Sequence, residues 1–169
     1  LFISFLLLAG SESVFAQENK KSNDRPYFIA AKLNFIDYGR ANGIDSLKVT
    51  NGIEGNIIRR MNPIFDLAVA GKIGVANVHD DPNNHTVLSA DALGRLNLLK
   101  NAKSFFPYLT GGAGIIWDSE EGFSPQVPLG VGANLMVGAN SYITGQLEFR
   151  LSGETNRNNV QLGIGYMYN

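Results

Sequence analysis

The segment His79-Asp80-Asp81-Pro82-Asn83-Asn84-His85 is the first in this chain to suggest chemistry, because two His and two Asp are ligand types for a divalent metal. Their spacing matches no recognised metal motif. Asp, Asn and Pro are also the residues that turns require, so the segment is expected to be a solvated, turn-rich loop. Asp118, Glu120 and Glu121 could hold divalent cations near a lipopolysaccharide surface, but an exposed acidic loop accounts for them as well. Gly130-Val131-Gly132 lacks the third Gly of a dinucleotide loop, Leu135 standing there, and no helix follows. Ser, His and Asp are present without a Gly-x-Ser-x-Gly elbow, and both His fall in one polar segment. Cys is absent, which removes disulfides, thiolate ligands, thiolate nucleophiles and a lipidated Cys anchor. The expectation is a protein that is not an enzyme, with no catalytic, cofactor-binding or metal-binding residues.

Eight charges call for a different explanation, and it comes from the elements that carry them. From Tyr27 onward the chain alternates with period two, the signature of strands whose two faces meet different surroundings. Val160, Leu162, Ile164, Tyr166 and Tyr168 oppose Gln161, Gly163, Gly165, Met167 and Asn169; Ile143, Gly145, Leu147, Phe149 and Leu151 oppose Tyr142, Thr144, Gln146, Glu148 and Arg150. Parity places Lys32, Lys72, Arg95 and Arg150 on the inner face with Glu54, Asp66, Asp91 and Glu148, four charges of each sign. Polar inside and apolar outside is the arrangement of a strand whose outer solvent is lipid.

Eight strands are expected at 27–37, 51–60, 64–78, 86–99, 105–117, 127–137, 141–152 and 159–168. Short connections at 61–63, 100–104 and 138–140 alternate with mostly longer ones at 38–50, 79–85, 118–126 and 153–158, like the turns and external loops of bacterial outer-membrane barrels. The fold class is therefore all-β, an eight-stranded antiparallel transmembrane barrel in up-and-down order, with both termini periplasmic. Its outer face carries no central charge; Arg59 stands beside a short turn, where a long side chain can snorkel toward headgroups. Tyr27, Phe65, Tyr166 and Tyr168 toward one rim, with Phe35 and Trp117 toward the other, form an expected aromatic girdle. A barrel of this size is only wide enough for side chains to fill, so the eight charges should pair into a plug and leave no wide pore. Ile58 and Leu93 point inward against the pattern, and Pro128 lacks a ladder donor, so the sixth strand should begin after it or bulge there.

Composition agrees with this reading. The 169 residues are 44% hydrophobic and 17% charged with a net charge of -1, which suits one domain, excludes a bundle of apolar membrane helices and gives no basic excess for nucleic acid. Leu1 to Ala9 is an apolar run too short to span a bilayer as a helix; with Val14-Phe15-Ala16-Gln17 it reads as part of a secretory signal peptide, residues 1–16, cut after Ala16. Residues 17–26 are polar and aperiodic, a flexible periplasmic lead-in, and 27–169 form the barrel.

Phe106-Pro107-Tyr108-Leu109-Thr110-Gly111-Gly112-Ala113-Gly114 resembles the fifth-strand pattern of OmpA/OmpX-like barrels, a Pro-Tyr pair before alternating glycines. Leu129-Gly130-Val131-Gly132, Leu135, Asn140 and then Gln146-Leu147-Glu148-Phe149-Arg150 are similar to that family's strand pair ending in Glu-aromatic-Arg, and 160–168 resembles its terminal strand. The resemblance is to the transmembrane barrel without the peptidoglycan-binding domain, so tethering to peptidoglycan is not implied. Asn169 stands where the family usually ends its barrel on an aromatic. The resemblance implies outer-membrane lipid and lipopolysaccharide as surroundings, and periplasmic chaperones and the barrel-assembly machinery as partners in biogenesis. It also implies a structural or surface-interaction role through the external loops. A narrow ion or water conduit gated by the lumen salt bridges is the alternative; a lipid-modifying barrel enzyme or a soluble lipocalin-like carrier ranks behind it, since the carrier needs an apolar interior.

Overall fold

Buried and exposed positions alternate without a break from Tyr27 to Asp37, and the same period recurs through every later strand. A computed structural model describes residues 27–43, 48–76, 85–99, 104–119, 122–153 and 157–169; the expected leader and lead-in lie outside these. The strands are β1 (Tyr27–Asp37), β2 (Val49–Arg60), β3 (Phe65–Ala76), β4 (His85–Asn97), β5 (Phe105–Asp118), β6 (Gly122–Gly138), β7 (Ser141–Ser152) and β8 (Asn159–Tyr168). Each is antiparallel to the next, and β1 also pairs with β8, so the sheet closes into an eight-stranded barrel in up-and-down order. Closure leaves no sheet edge.

The elements end where the local chemistry dictates. Between β2 and β3, Asn62 bends the chain by accepting bonds from the amides of Ile64 and Phe65 on its side-chain oxygen, both at 2.8 Å. After β1 a single 3₁₀ turn, Arg40–Asn42, stops at Gly43, whose φ of 78° suits a residue without a Cβ.

Three expectations need correction. The sixth strand does not begin after Pro128, nor does it bulge there. β6 runs straight through it: the ladder to β5 lapses opposite Gly112 and Ala113, resumes in unshifted register at Gly114 and Gln126, and Pro128 keeps its place opposite Arg150 of β7. The irregularity lies instead between Met136 and Gly138, beside the turn to β7. Asp118 is not in an acidic loop, because β5 extends to it and β6 starts at Gly122. His85 is not in a solvated loop; it is the first residue of β4 and buried. His79 and the rest of that segment, with Glu120 and Glu121, lie outside the described residues.

The two wall surfaces differ as parity requires. Ile29, Leu33, Ile53, Ile57, Val69, Leu129, Val131, Leu147 and Ile164 face outward and exposed, while Lys32, Asn34, Glu54, Asp91, Gln146, Glu148 and Arg150 are buried inside. Ile58 and Leu93 are not stray. Phe28, Ile58, Ala68 and Leu93 are consecutive register partners across β1 to β4, and with Ala30, Ala70 and Met167 they form an apolar layer at the end of the lumen nearer the short turns. A second apolar layer, Ile36, Tyr38, Ala76 and Val87 with Ile116 against it, lies toward the loops. Apolar layers thus flank the charged centre of the lumen on both sides.

Candidate functional site in the lumen

The centre of the lumen is built from cross-strand partners of alternating sign. Lys32, Glu54 and Lys72 stand opposite one another across β1, β2 and β3, because each lies near the middle of its strand on the inward parity. Lys32 Nζ lies 2.6 Å from Glu54 Oε1, and Lys72 Nζ lies 3.3 Å from Glu54 Oε2. Lys72 also reaches across the barrel to Glu148 Oε1 at 2.8 Å and lies 3.7 Å from Asp91. The Arg150 guanidinium donates through Nε to Glu148 at 2.7 Å, through Nη1 to Gln126 at 2.7 Å and through Nη2 to Asp91.

Amides fill most of the remaining valences. Asn34 and Asn56 donate to the two oxygens of Glu54 at 2.9 and 2.7 Å, and Gln146 donates to Glu148 at 2.8 Å while accepting from Lys32 and Tyr108 at 2.9 Å each. Three acids and three bases make the group neutral, and every one of the six is at most 8% exposed in its side chain. Such burial costs more than the Coulomb attraction returns unless hydrogen bonds fill the shell, and here they fill most of it, leaving Asp91 Oδ1 and Gln126 Nε2 buried without a partner. Glycines make the room: a Cβ on Gly132 would run into the Tyr108 phenol, and one on Gly130 would press on Glu148.

Two of the eight expected charges stand apart from this group. Asp66 accepts from Asn97 at 3.0 Å and lies 3.5 Å from Arg60 Nε, at the turn end. Arg95, its register partner on β4, lays its guanidinium over the Tyr108 ring, 3.7 Å from the centroid. Of the expected girdle, Tyr27, Phe35, Tyr166 and Tyr168 face outward and exposed, whereas Phe65 and Trp117 are half-buried. Arg59 lies on the outer face with its guanidinium 5.7 Å from the Tyr27 ring centroid.

A second charged group closes the loop end, and sequence reasoning missed it. His85 Nδ1 lies 3.1 Å from Asp118 Oδ1, and Arg157 Nη1 donates to Asp118 Oδ2 at 2.5 Å; all three are buried. Tyr38, just past β1, is buried beneath, and burial pushes its hydroxyl up to about 12. The only sequence signal was parity carried past the expected strand ends: from Arg95, inward positions of β4 count back to His85, and from Thr110 those of β5 count on to Asp118.

Small cavities flank the central group. One of about 10 Å³ lies toward the turns between Lys32, Asn56, Arg95, Thr144 and Gln146; another of about 10 Å³ lies toward the loops beside Tyr38, Lys72 and Arg150. Each has room for about one water. Between them, around Glu54, Lys72 and Glu148, that space falls to about 0 Å³.

No protein-family model matches this chain, and no curated protein matches it. Solved structures do. Neisserial surface protein A (NspA) is 14% identical and superposes with a TM-score of 0.67 over 85% of this chain and 96% of its own. Ail, the attachment invasion locus protein of Yersinia pestis, is 12% identical with a TM-score of 0.54 over 84% and 95%. The outer membrane enzyme PagL is 10% identical with a TM-score of 0.53 over 83% and 98%. One architecture therefore serves proteins of different activity, and the comparison speaks for architecture alone. The chain has the fold of the small eight-stranded outer-membrane β-barrels, the fold that its resemblance to OmpA/OmpX-like proteins implies.

Proposed function

We propose that this chain resides in the outer membrane of a Gram-negative-type bacterium, where it supports the envelope or contacts external partners through its longer loops. The observation that carries this is the inverted wall: Ile29 is 66% exposed, Val69 63% and Ile57 60%, while Glu148 and Arg150 inside are each 1% exposed. In water that exposed belt would be an aggregation surface; in lipid it is the solvated face. Tyr27, Phe35, Tyr166 and Tyr168, with Phe65 and Trp117, are assigned to the interfacial girdle, and Arg59 to a headgroup contact. Both termini lie on the periplasmic rim, where an even strand number brings them together. Residues 1–16 direct export, and residues 17–26 lead into the barrel. Chaperones and the barrel-assembly machinery serve biogenesis, and lipid with lipopolysaccharide surrounds the wall. The surface and attachment proteins among the neighbours support a role for the loops, which a rigid barrel displays. PagL keeps an enzymatic role in view as a property of the fold.

Mobility in detergent electrophoresis before and after heating, with circular dichroism in detergent and in plain buffer, tests the proposal. A heat-dependent shift with β signal only in detergent is expected; a soluble β protein without a shift overturns it.

The two water-sized cavities on either side of the central charges favour a second reading, in which rearrangement of Arg150 and Lys72 joins them into a narrow ion or water conduit. Single-channel currents in planar bilayers for the wild type and Glu148→Ala decide between a closed lumen and a gated one. Equal conductance counts against gating.

A further inference from the structure

Arg95 is 6% exposed, yet it makes no hydrogen bond and no ion pair with any described residue; its guanidinium lies over the face of Tyr108. The acid that stands opposite it in register, Asp66, accepts from Asn97 through Oδ2, while its Oδ1 lies 3.5 Å from the half-exposed Arg60 and has no hydrogen-bond partner. A ring face attracts a cation but accepts none of the in-plane N–H bonds, so the guanidinium donors remain to be satisfied. The hydroxyl of Thr110, Arg95's register partner on the other side, is also buried without a hydrogen-bond partner.

Arg95 borders the turn-end cavity, which has Lys32 as its second cation and no acidic side chain in its lining. The three acids of the central group are already matched by Lys32, Lys72 and Arg150. The chamber therefore combines an Arg95 guanidinium without hydrogen bonds, two cations with no acid in the lining, and room for one particle of about water's size. A water would fill the donors and leave the charge.

We infer that the turn-end chamber of the lumen binds a small monovalent anion of halide size, with the Arg95 guanidinium as its principal ligand. The cavity is too small for phosphate or a carboxylate-bearing metabolite. The apolar layer of Phe28, Ile58, Ala68 and Leu93 limits water around the site and strengthens the attraction there.

The test uses the full chain folded in detergent micelles and titrated with sodium bromide, ionic strength being held constant with sodium gluconate. The Arg95 side-chain N–H and Thr110 amide resonances are followed by NMR. A saturable shift of both in the millimolar range is expected, lost in Arg95→Gln. An Arg95→Lys variant, which keeps the charge for the fold but loses the planar fork, should weaken the bromide midpoint severalfold. Its midpoint decides the matter if Arg95→Gln fails to show the heat-dependent mobility of a folded barrel. A linear, non-saturating drift in the wild type means that the chamber holds water only and overturns the inference. Saturation that persists in a folded Arg95→Gln protein, or an unchanged midpoint in Arg95→Lys, overturns it as well.

Discussion

The centre of the lumen and its loop end both hold buried charges, but they hold them differently. At the centre, Lys72 is shared by Glu54, Asp91 and Glu148, and Glu148 is shared in turn by Arg150, Lys72 and Gln146, so no pair is isolated. At the loop end Asp118 gathers His85 and Arg157 beside the loops, with Ile36, Tyr38, Ala76 and Val87 separating it from the centre. The first arrangement ties five strands together: β1, β2, β3, β4 and β7. The second joins the start of β4 and the end of β5 to the entry of β8. Buried charge in one barrel thus acts as a mesh in one layer and as a clasp in another.

The mesh is the more sensitive of the two. Glu148→Ala leaves Lys72 and Arg150 short of an acid in a dry layer, and a loss of ~3–5 kcal/mol is expected in urea unfolding from lipid or detergent. Asp118→Asn removes the charge from the clasp while keeping its shape, and a smaller loss of ~1.5–3 kcal/mol is expected by the same measurement. A double-mutant cycle sharpens the contrast. Glu54→Gln with Glu148→Gln should be non-additive by ~1 kcal/mol or more, since both acids hold Lys72, whereas Glu148→Gln with Asp118→Asn should add within ~0.5 kcal/mol.

The smallest effect concerns the layer between. Tyr38 keeps its proton to about 12 when folded but ionises near 10 when unfolded. Its raised value means that stability is intact below pH 10 and falls as pH rises toward about 12. Tyr38→Phe should match the wild type at neutral pH and lose less in that alkaline window, as read by heat-dependent mobility across pH.

Parity made most of this wall legible in the sequence. It put Ile29, Val69 and Ile164 outside, and Lys32, Glu54, Lys72, Asp91, Glu148 and Arg150 inside together, because a strand offers only two directions and one of them must face lipid. What parity cannot give is which inward neighbour a long side chain chooses. Arg95 and Asp66 stand opposite one another, yet Arg60 takes the acid and Tyr108 receives the guanidinium. Such choices follow from strand tilt and from the glycines on adjacent strands, neither of which a single strand displays. His85 and Asp118 were misread for another reason: their neighbours Asp80, Asp81, Asn83, Asn84, Glu120 and Glu121 have turn composition, which masked the last inward positions of β4 and β5.

Closure of the barrel also sets an order of events. Asp37 lies opposite Val160 and Ile29 opposite Tyr168, so the first strand made waits for the last. Until β8 emerges, β1 carries a row of unmatched amides and carbonyls along one side, the template on which strands of other chains could add. A barrel of this design closes only through contacts between distant parts of the sequence, the kind of pairing that is slowest to form. The wall is complete only when β8 has found β1, the two ends of the sequence meeting along one seam.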